Sequence, residues 1–595
     1  VPPKLFSFER LKQNLAVLAA AAPEVAYWLQ AESDFSACAN QAQETANEEQ
    51  VSWSRGDNPL LKGALRSGGV TVVVGGGDLR AVCDLVAHMP LGHQVFVMEP
   101  RADLLCRGLG SHDLAPHLAE GDLVILAPSE MALEEALSRH PQLALAEELE
   151  VVSLSPLGGE AWAEAARARL YRMLGQAFKA RDLALNWEGP SGANLIRNLY
   201  HVAFMGLAPS LAGALAGRPA FIAEAGPGLA EALPLMAGRI GKAALFCSEL
   251  ALPEVLAAGI LPTAVVLLSP AAGRLFSLGH PWLAHLPLIA EKVAHAPTVQ
   301  AHPGPRFICL GPRVSVPGAL GVLGETFTPQ HHALGRLVEV ALSAGAKPLV
   351  LVGADLVDGQ GHLILPGMDG SPVQTGLEQA STASGLGRVL ARAGCHALNT
   401  SRRGLGLPGT CFAELGQLMR EVGAPGQPLR VTALNQEAWL GVEELRAVAQ
   451  GLNQAATGAT LMWQRAAAPL HDYPRLTPQC TPSWLSSADR LFVALAEQAS
   501  AEPLMAAFLD GCLVRAFRRR HRLLCQGRSQ GISVEDACGE LQSCLQDLES
   551  RGSELVLGLR QIAREFSELA GARASGDETI LAVYARECGH QPPTL

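Results

Sequence analysis

Two glycine-marked turns hold most of the chemistry that can be anticipated in this 595-residue chain. Gly226-Pro227-Gly228 follows a short apolar run, Ala220 to Ala223, and leads into an amphipathic stretch beginning at Leu229. A turn between a strand and a helix start lets a phosphate approach backbone N–H groups at the positive end of the helix dipole. Gly353-Ala354-Asp355-Leu356 follows a second apolar run, Pro348 to Val352. A strand-terminal glycine followed by an acid sits where α/β sheets place ligand groups, beyond the carboxyl ends of the strands. A third turn, Gly75-Gly76-Gly77, follows Val70 to Val74, and Glu99 ends the next strand, Val95 to Met98. This outlines a dinucleotide- or adenosyl-binding fold with an acid placed for a ribose. The spacing is not the full G-x-G-x-x-G, since Leu79 and Arg80 occupy its last part, and a Rossmann-like unit without a cofactor is the favoured reading.

These turns need a scaffold, and the hydrophobic pattern supplies one. Apolar positions at Leu11, Leu15, Leu18 and Ala22 predict helix between Phe6 and about Arg55. After the first βαβ outline, strands are expected at Leu123 to Leu126 and Val151 to Leu154, then a long helix from Glu160 to about Leu185. More helix is expected from Asn194 to Leu215, with Asn194 and Asn198 one turn apart on one face. Strands follow at Ala243 to Phe246, Ala264 to Leu268 and Phe307 to Leu310. Thr328 or Pro329 is expected to open a helix carrying His331 and His332 in its first turn. The polar run Met368 to Thr375 reads as a hairpin or flap, and from about Pro428 the chain is mostly helical. Arg518-Arg519-Arg520-His521 falls on such a helix and reads first as a solvated face, with a phosphate or acidic partner as the sharper alternative. The expected architecture is α/β, with a helix and Rossmann-like domain over 1–185, a central α/β domain over 186–427 and a helical domain over 428–595.

Composition narrows the class. A hydrophobic content of 49% with 17% charged residues is that of a folded, core-rich protein. The net charge of −11 argues against non-specific nucleic-acid binding. No apolar run is long enough for a membrane-spanning helix, and the charged N-terminal stretch is unlike a signal peptide. Thirteen cysteines without C-x-x-C spacing fit reduced, mostly buried thiols, a cytoplasmic location and no zinc site.

In order and spacing, several elements resemble the motility accessory factor (Maf) family of flagellin glycosyltransferases, which shares its core with the MptE-like hydroxymethylpterin diphosphokinases. Glu224-Ala225-Gly226-Pro227-Gly228-Leu229 stands where the family has its G-x-G-P-S-L turn, and Ala258 to Thr263 where it has a Gly-Ile-x-Pro-Asp turn. Val265 to Ser269-Pro270 matches a strand that ends in aspartate in the family, and Gly353 to Leu356 its G-x-D-L. His362, Gly367, the run DGSPVQT, Asn399-Thr400, Gly404-Leu405 and Gly409-Thr410 resemble its closing motifs. The resemblance covers most of the chain up to about residue 430.

The resemblance implies a sialyltransferase-like central domain that takes a nonulosonic acid, such as pseudaminic or legionaminic acid, from a CMP-sugar. The acceptor would be Ser or Thr of flagellin in the cytoplasm, with no membrane or nucleic-acid partner. It implies no permanently bound cofactor and leaves a divalent metal open. Gly226, Pro227, Gly228, Leu229, Ser269, Gly353, Asn399 and Thr400 would bind the donor. Asp355, His362 and His332 would serve catalysis, His331 being a further candidate base, because a base near the acceptor hydroxyl assists an oxocarbenium-like transfer. Each histidine equally fits a hydrogen-bonded or surface role. The chain departs from the family at Gly228, where a serine is expected, and at Thr263 and Ser269, where aspartates are expected. A catalytically silent member that binds flagellin or a partner is therefore the alternative, with a pterin-type diphosphokinase ranked last.

Overall fold

The computed structural model describes residues 6–32, 69–90, 93–126, 149–154, 166, 170, 191–202, 205–271, 281–309, 332–359, 363–430, 441–471 and 534–587. The chain divides into two compact units, 1–178 with 516–541, and 179–515 with 542–595. The expected long helix from Glu160, His331, His362 and the Arg518 to His521 run fall on residues outside the description, except for isolated positions in the first of these.

In the first unit, helix α1 (Phe8–Ala21) starts at Ser7, whose side chain accepts from the Arg10 N–H, a normal helix-opening contact. Leu11, Leu15 and Leu18 bury one face of it, as their spacing requires. Asn14 in that face is fully buried because its amide donates to the Leu109 and His112 carbonyls and accepts from the Leu114 N–H. The sheet behind it has strands β1 (Val70–Val74), β2 (Gln94–Met98), β3 (Leu123–Leu126) and β4 (Leu149–Ser153). Their order is β3-β2-β1-β4, with every pairing parallel. The sequence anticipates each strand to within two residues.

The second unit carries a nine-stranded sheet. Its strands are β5 (Gly206–Leu207), β6 (Ala220–Ala223), β7 (Ala244–Ser248), β8 (Ala264–Leu267), β9 (Leu288–Glu291), β10 (Arg306–Cys309), β11 (Leu349–Val352), β14 (Ala397–Asn399) and β15 (Thr410–Phe412). The order is β15-β14-β11-β6-β7-β8-β9-β10-β5, and all the pairings are parallel. Strands β6 to β11 are buried along their whole length, so their sequences are apolar runs and not alternating ones, with Ser248, Glu291 and Arg306 as polar residues at strand ends. A separate antiparallel hairpin, β12 (Leu363–Pro366) with β13 (Pro372–Thr375), matches the predicted flap.

The order of the strands locates the crevice. From β6 the chain steps outward through β7, β8, β9 and β10, then returns to the other side of β6 for β11, β14 and β15. The direction of winding therefore reverses between β6 and β11. In open parallel sheets, ligands bind outside the carboxyl ends of the strands at such a reversal. Helices α2 (Gly228–Met236), α3 (Ala333–Ser343) and α4 (Leu377–Arg392) all start at this carboxyl edge. The later part of the unit is helical, with α5 (Val442–His471), the portion of α6 (Val534–Ser575) from residue 542, and α7 (Glu578–Glu587). Among the described residues, no helix is long and apolar enough to cross a membrane.

Candidate functional site

At the reversal point the two turns singled out by sequence meet. Gly353 leaves β11 with φ +67°, a left-handed conformation that glycine adopts without steric cost. Leu356 also has a positive φ, +50°, which a leucine holds only under constraint. Between them Asp355 is 8% exposed, and its Oδ2 accepts a 2.7 Å hydrogen bond from the Gly228 N–H at the start of α2. The carboxylate of one strand end thus caps the helix that follows the neighbouring strand. A side chain on Gly226 would collide with the Gly353 carbonyl oxygen, and its Cβ would lie 2.7 Å from Asp355 Oδ2. A Cβ on Gly228 would lie 2.9 Å from Asp355 Oδ1. Both glycines are required by the close approach of Gly353 and Asp355.

This changes the phosphate-cradle expectation. The turn has the expected shape, but the Gly228 N–H is already satisfied by Asp355, and Leu229 is wholly buried as a core residue. Pro227 precedes the helix and has no N–H to offer.

Asp355 is held from the other side by the loop after β14. The Leu405 N–H donates to the Asp355 carbonyl at 2.8 Å, and a Cβ on Gly404 would stand 2.8 Å from Asp355 Cα. The hairpin joins the same knot. The Met368 N–H donates to the Gly404 carbonyl, the Gly406 N–H donates to that of Pro366, and Thr375 Oγ1 donates to that of Leu356.

The remaining predicted site residues divide. Asn399 and Thr400 end β14, which pairs with β11, so they stand one strand from the reversal. Thr400 uses both its N–H and its hydroxyl on the Leu351 carbonyl. Ser269 follows β8, three strands from β11, or about 14 Å at normal strand spacing. Its Oγ accepts from the Ala271 N–H, and its carbonyl accepts from the His295 N–H. Helix α3 begins at Ala333, one residue later than a helix containing His332 requires, and His332 is the extended residue before it. That histidine is buried against α4, with Nδ1 2.8 Å from Thr382 Oγ1 and Nε2 3.2 Å from Ser381 Oγ. Because the Thr382 hydroxyl donates to the Glu378 carbonyl, Nδ1 is the donor to Thr382, and His332 ties two helices together. Thr263, one of the departures, precedes β8 at the opposite edge of the sheet. There it accepts from the Leu245 N–H and donates to the Leu429 carbonyl. Its substitution for aspartate takes nothing from the carboxyl edge.

Several residues at this edge were given no role in the sequence. Glu224 ends β6, and its Oε1 accepts from Ser248 Oγ at 2.9 Å. Glu249, directly after β7, has its carboxyl pushed up to about 7 by burial, and its Oε2 is enclosed without a hydrogen-bond partner. Asn194 and Asn198, noted only as neighbours on a helix, clamp the loops beyond β8 and β9 through the carbonyls of Pro270, Val293, Lys292 and Ala294. An acid or polar residue immediately after a predicted strand is the signal that finds Glu224, Ser248 and Glu249. Among the described residues, no group of three or more metal-ligating side chains is assembled.

In the first unit, the Gly75 to Gly77 turn is closed from within. Glu99, 2% exposed, accepts from the Gly77 N–H at 2.7 Å and from the Arg101 N–H at 3.0 Å. Its two oxygens serve the protein's own backbone.

No curated protein matches the chain. A solved structure described as a Maf glycosyltransferase from Magnetospirillum magneticum AMB-1 aligns over 96% of this chain and 99% of its own, with 16% identity and a TM-score of 0.47. The family model described as 6-hydroxymethylpterin diphosphokinase MptE-like matches residues 193–361, a span that holds the reversal point, both of its glycine turns and Asp355. Over residues 193–361 the chain is therefore similar to the MptE-like family.

Proposed function

We propose that this protein is a glycosyltransferase that moves a nonulosonic acid, pseudaminic or legionaminic, from a CMP-sugar to Ser or Thr hydroxyls of flagellin. The observation that carries the reading is the meeting of the Gly226 to Gly228 turn with Gly353 to Leu356 at the β6/β11 reversal, inside the MptE-like domain. The donor lies across the carboxyl edge, with Asn399 and Thr400 on one side of β11 and the α2 turn on the other. Asp355 orients sugar or acceptor hydroxyls, and the positive φ at Leu356 is the kind of strain that concentrates at working sites. His362 lies outside the described residues, and His332 acts by fixing α3 on α4. Glu249, poised to exchange a proton near neutral pH, is the described group at this edge best suited to accept the hydroxyl proton.

The test is intact-mass analysis of flagellin after incubation with the protein and CMP-pseudaminic or CMP-legionaminic acid. A sugar increment that disappears in Asp355→Ala supports the reading. One observation favours a second reading: the Gly228 N–H is occupied by Asp355, as suits a silent member that binds flagellin without transfer. Flagellin binding with no increment from either donor selects it.

A further inference from the structure

An anionic donor brought to this crevice meets acids first. Asp355, Glu224 and Glu249 line the carboxyl ends of β11, β6 and β7, and the helix N–H best placed for an anion already holds a carboxylate. The compensating charge lies one strand further along, in the loop Asn399 to Gly404. Asn399 is fully buried, and its Oδ1 accepts from the Ser401 N–H, which fixes the amide so that Nδ2 is the free end. That Nδ2 is enclosed without an acceptor, and Ser401 Oγ is likewise buried without a partner. Next in the chain are Arg402 and Arg403, both exposed, and neither makes an ion pair among the described residues. Arg402 lies over the Phe412 ring at 5.9 Å, which gives its guanidinium a flat support. Asp369 is an acid in electrostatic range of Arg402. Its carboxyl is held below the usual range by the Ser371 hydroxyl and N–H first, and by Arg402 only weakly. Gly404 then packs against Asp355 Cα, and Leu405 bonds the Asp355 carbonyl, so the loop is anchored to the reversal point.

We infer that Arg402 and Arg403 are the oxyanion-recognising residues of this crevice, reading a phosphate or carboxylate of the donor with Ser401 and Asn399 behind them. The inference rests on the donor-binding reading above and corrects where the acidic group is held: on the loop after β14, not on the α2 turn. Guanidinium groups hold oxyanions through paired, charge-assisted hydrogen bonds, which a lone backbone N–H cannot match. An anchored loop also keeps low the entropy lost on binding.

Isothermal titration of the full chain with CMP, N-acetylneuraminic acid and cytidine separates the sources of the anion, since these carry a phosphate, a carboxylate and neither. Wild type is expected to bind CMP or the sugar acid more tightly than cytidine. The CMP or sugar-acid Kd is expected to rise about tenfold for each arginine replaced by alanine, the worth of one charged hydrogen bond. Cytidine binding is expected to stay unchanged. Arg402→Gln with Arg403→Gln repeats the test with side-chain bulk kept, and the melting temperature without ligand checks the fold. Wild-type affinity for both anions in the double variants overturns the inference and leaves the donor-binding reading standing. No binding of either anion by wild type overturns both.

Discussion

The two units solve the same local problem in different places. Each has a glycine turn after its first central strand, and in each a carboxylate from another strand end accepts a hydrogen bond from that turn. In the first unit the acid is Glu99 from β2, on the side away from the reversal between β1 and β4. It accepts two N–H groups and is 2% exposed. In the second unit the acid is Asp355 from β11, directly across the reversal, and it accepts one. The first arrangement completes a strand-to-helix connection. The second places a carboxylate, flanked by two left-handed residues, at the crevice made by the reversal of strand order. The two turns thus differ in where the facing acid comes from, beside the turn's own strand away from the reversal in one unit and across the reversal in the other.

The sharpest way to break this comparison is to fill the turns. Gly226→Ala drives a Cβ into the Gly353 carbonyl, a backbone group that cannot turn aside, and is expected to destabilise the second unit by about 3 kcal/mol or more. Gly76→Ala meets a side chain, Val97 Cγ1 at 2.5 Å, and is expected to cost about 1–3 kcal/mol in the first unit alone. Hydrogen exchange reads each unit separately. Equal losses of protection in both would mean that the Gly353 approach is no closer a constraint than ordinary packing.

Removing the acids tests their different employment. Glu99→Ala takes the acceptor from two part-buried backbone donors, the Gly77 and Arg101 N–H groups, and is expected to cost about 1–2 kcal/mol. Asp355→Ala removes one helix-capping bond and is expected to cost about 1 kcal/mol, as loss of a capping residue does. Asp355→Ala is nevertheless the change expected to abolish transfer. Denaturant midpoints and flagellin mass together would show whether stability and activity part company in this way.

Strands β6, β7, β8, β10 and β11 were legible because burial on both faces leaves apolar runs such as Ala220 to Ala223 and Leu349 to Val352. Strands β9, β14 and β15 were not anticipated, and β5 interrupts the helix expected from Asn194 to Leu215. The candidate site was legible to the level of the two turns, because Gly226 and Gly353 mark strand ends. Their meeting was not, since it depends on β11 returning beside β6 after four intervening strands, a pairing of residues 127 apart. Glu99 left two readings open for a related reason. An acid at a strand end is the same letter whether it faces a ribose or the Gly77 N–H. His332 misled because helix α3 starts at Ala333 and not at Thr328 or Pro329, which leaves His332 before the helix with its imidazole bridging Ser381 and Thr382.

The smallest expected effect concerns how hydrogen bonds set the charge of an enclosed acid. Burial raises the Glu99 carboxyl, but the Gly77 and Arg101 N–H groups oppose it. Glu249 is raised by burial with no opposing bond, from its ordinary 4.5 to about 7. A folded-state pKa above the unfolded one means that the native state binds the proton more tightly. The stability this contributes is full below about pH 4.5 and is lost as pH rises through about 7. Glu249→Gln keeps a neutral side chain at every pH. Relative to that variant, wild type is expected to lose about 1–2 kcal/mol between pH 5 and 8, the partial exposure of the carboxyl keeping the figure small. Paired melting curves across that window give the difference directly. A difference that stays flat would show that Glu249 ionises in the fold as freely as in water, and would remove it as the group that takes the acceptor proton.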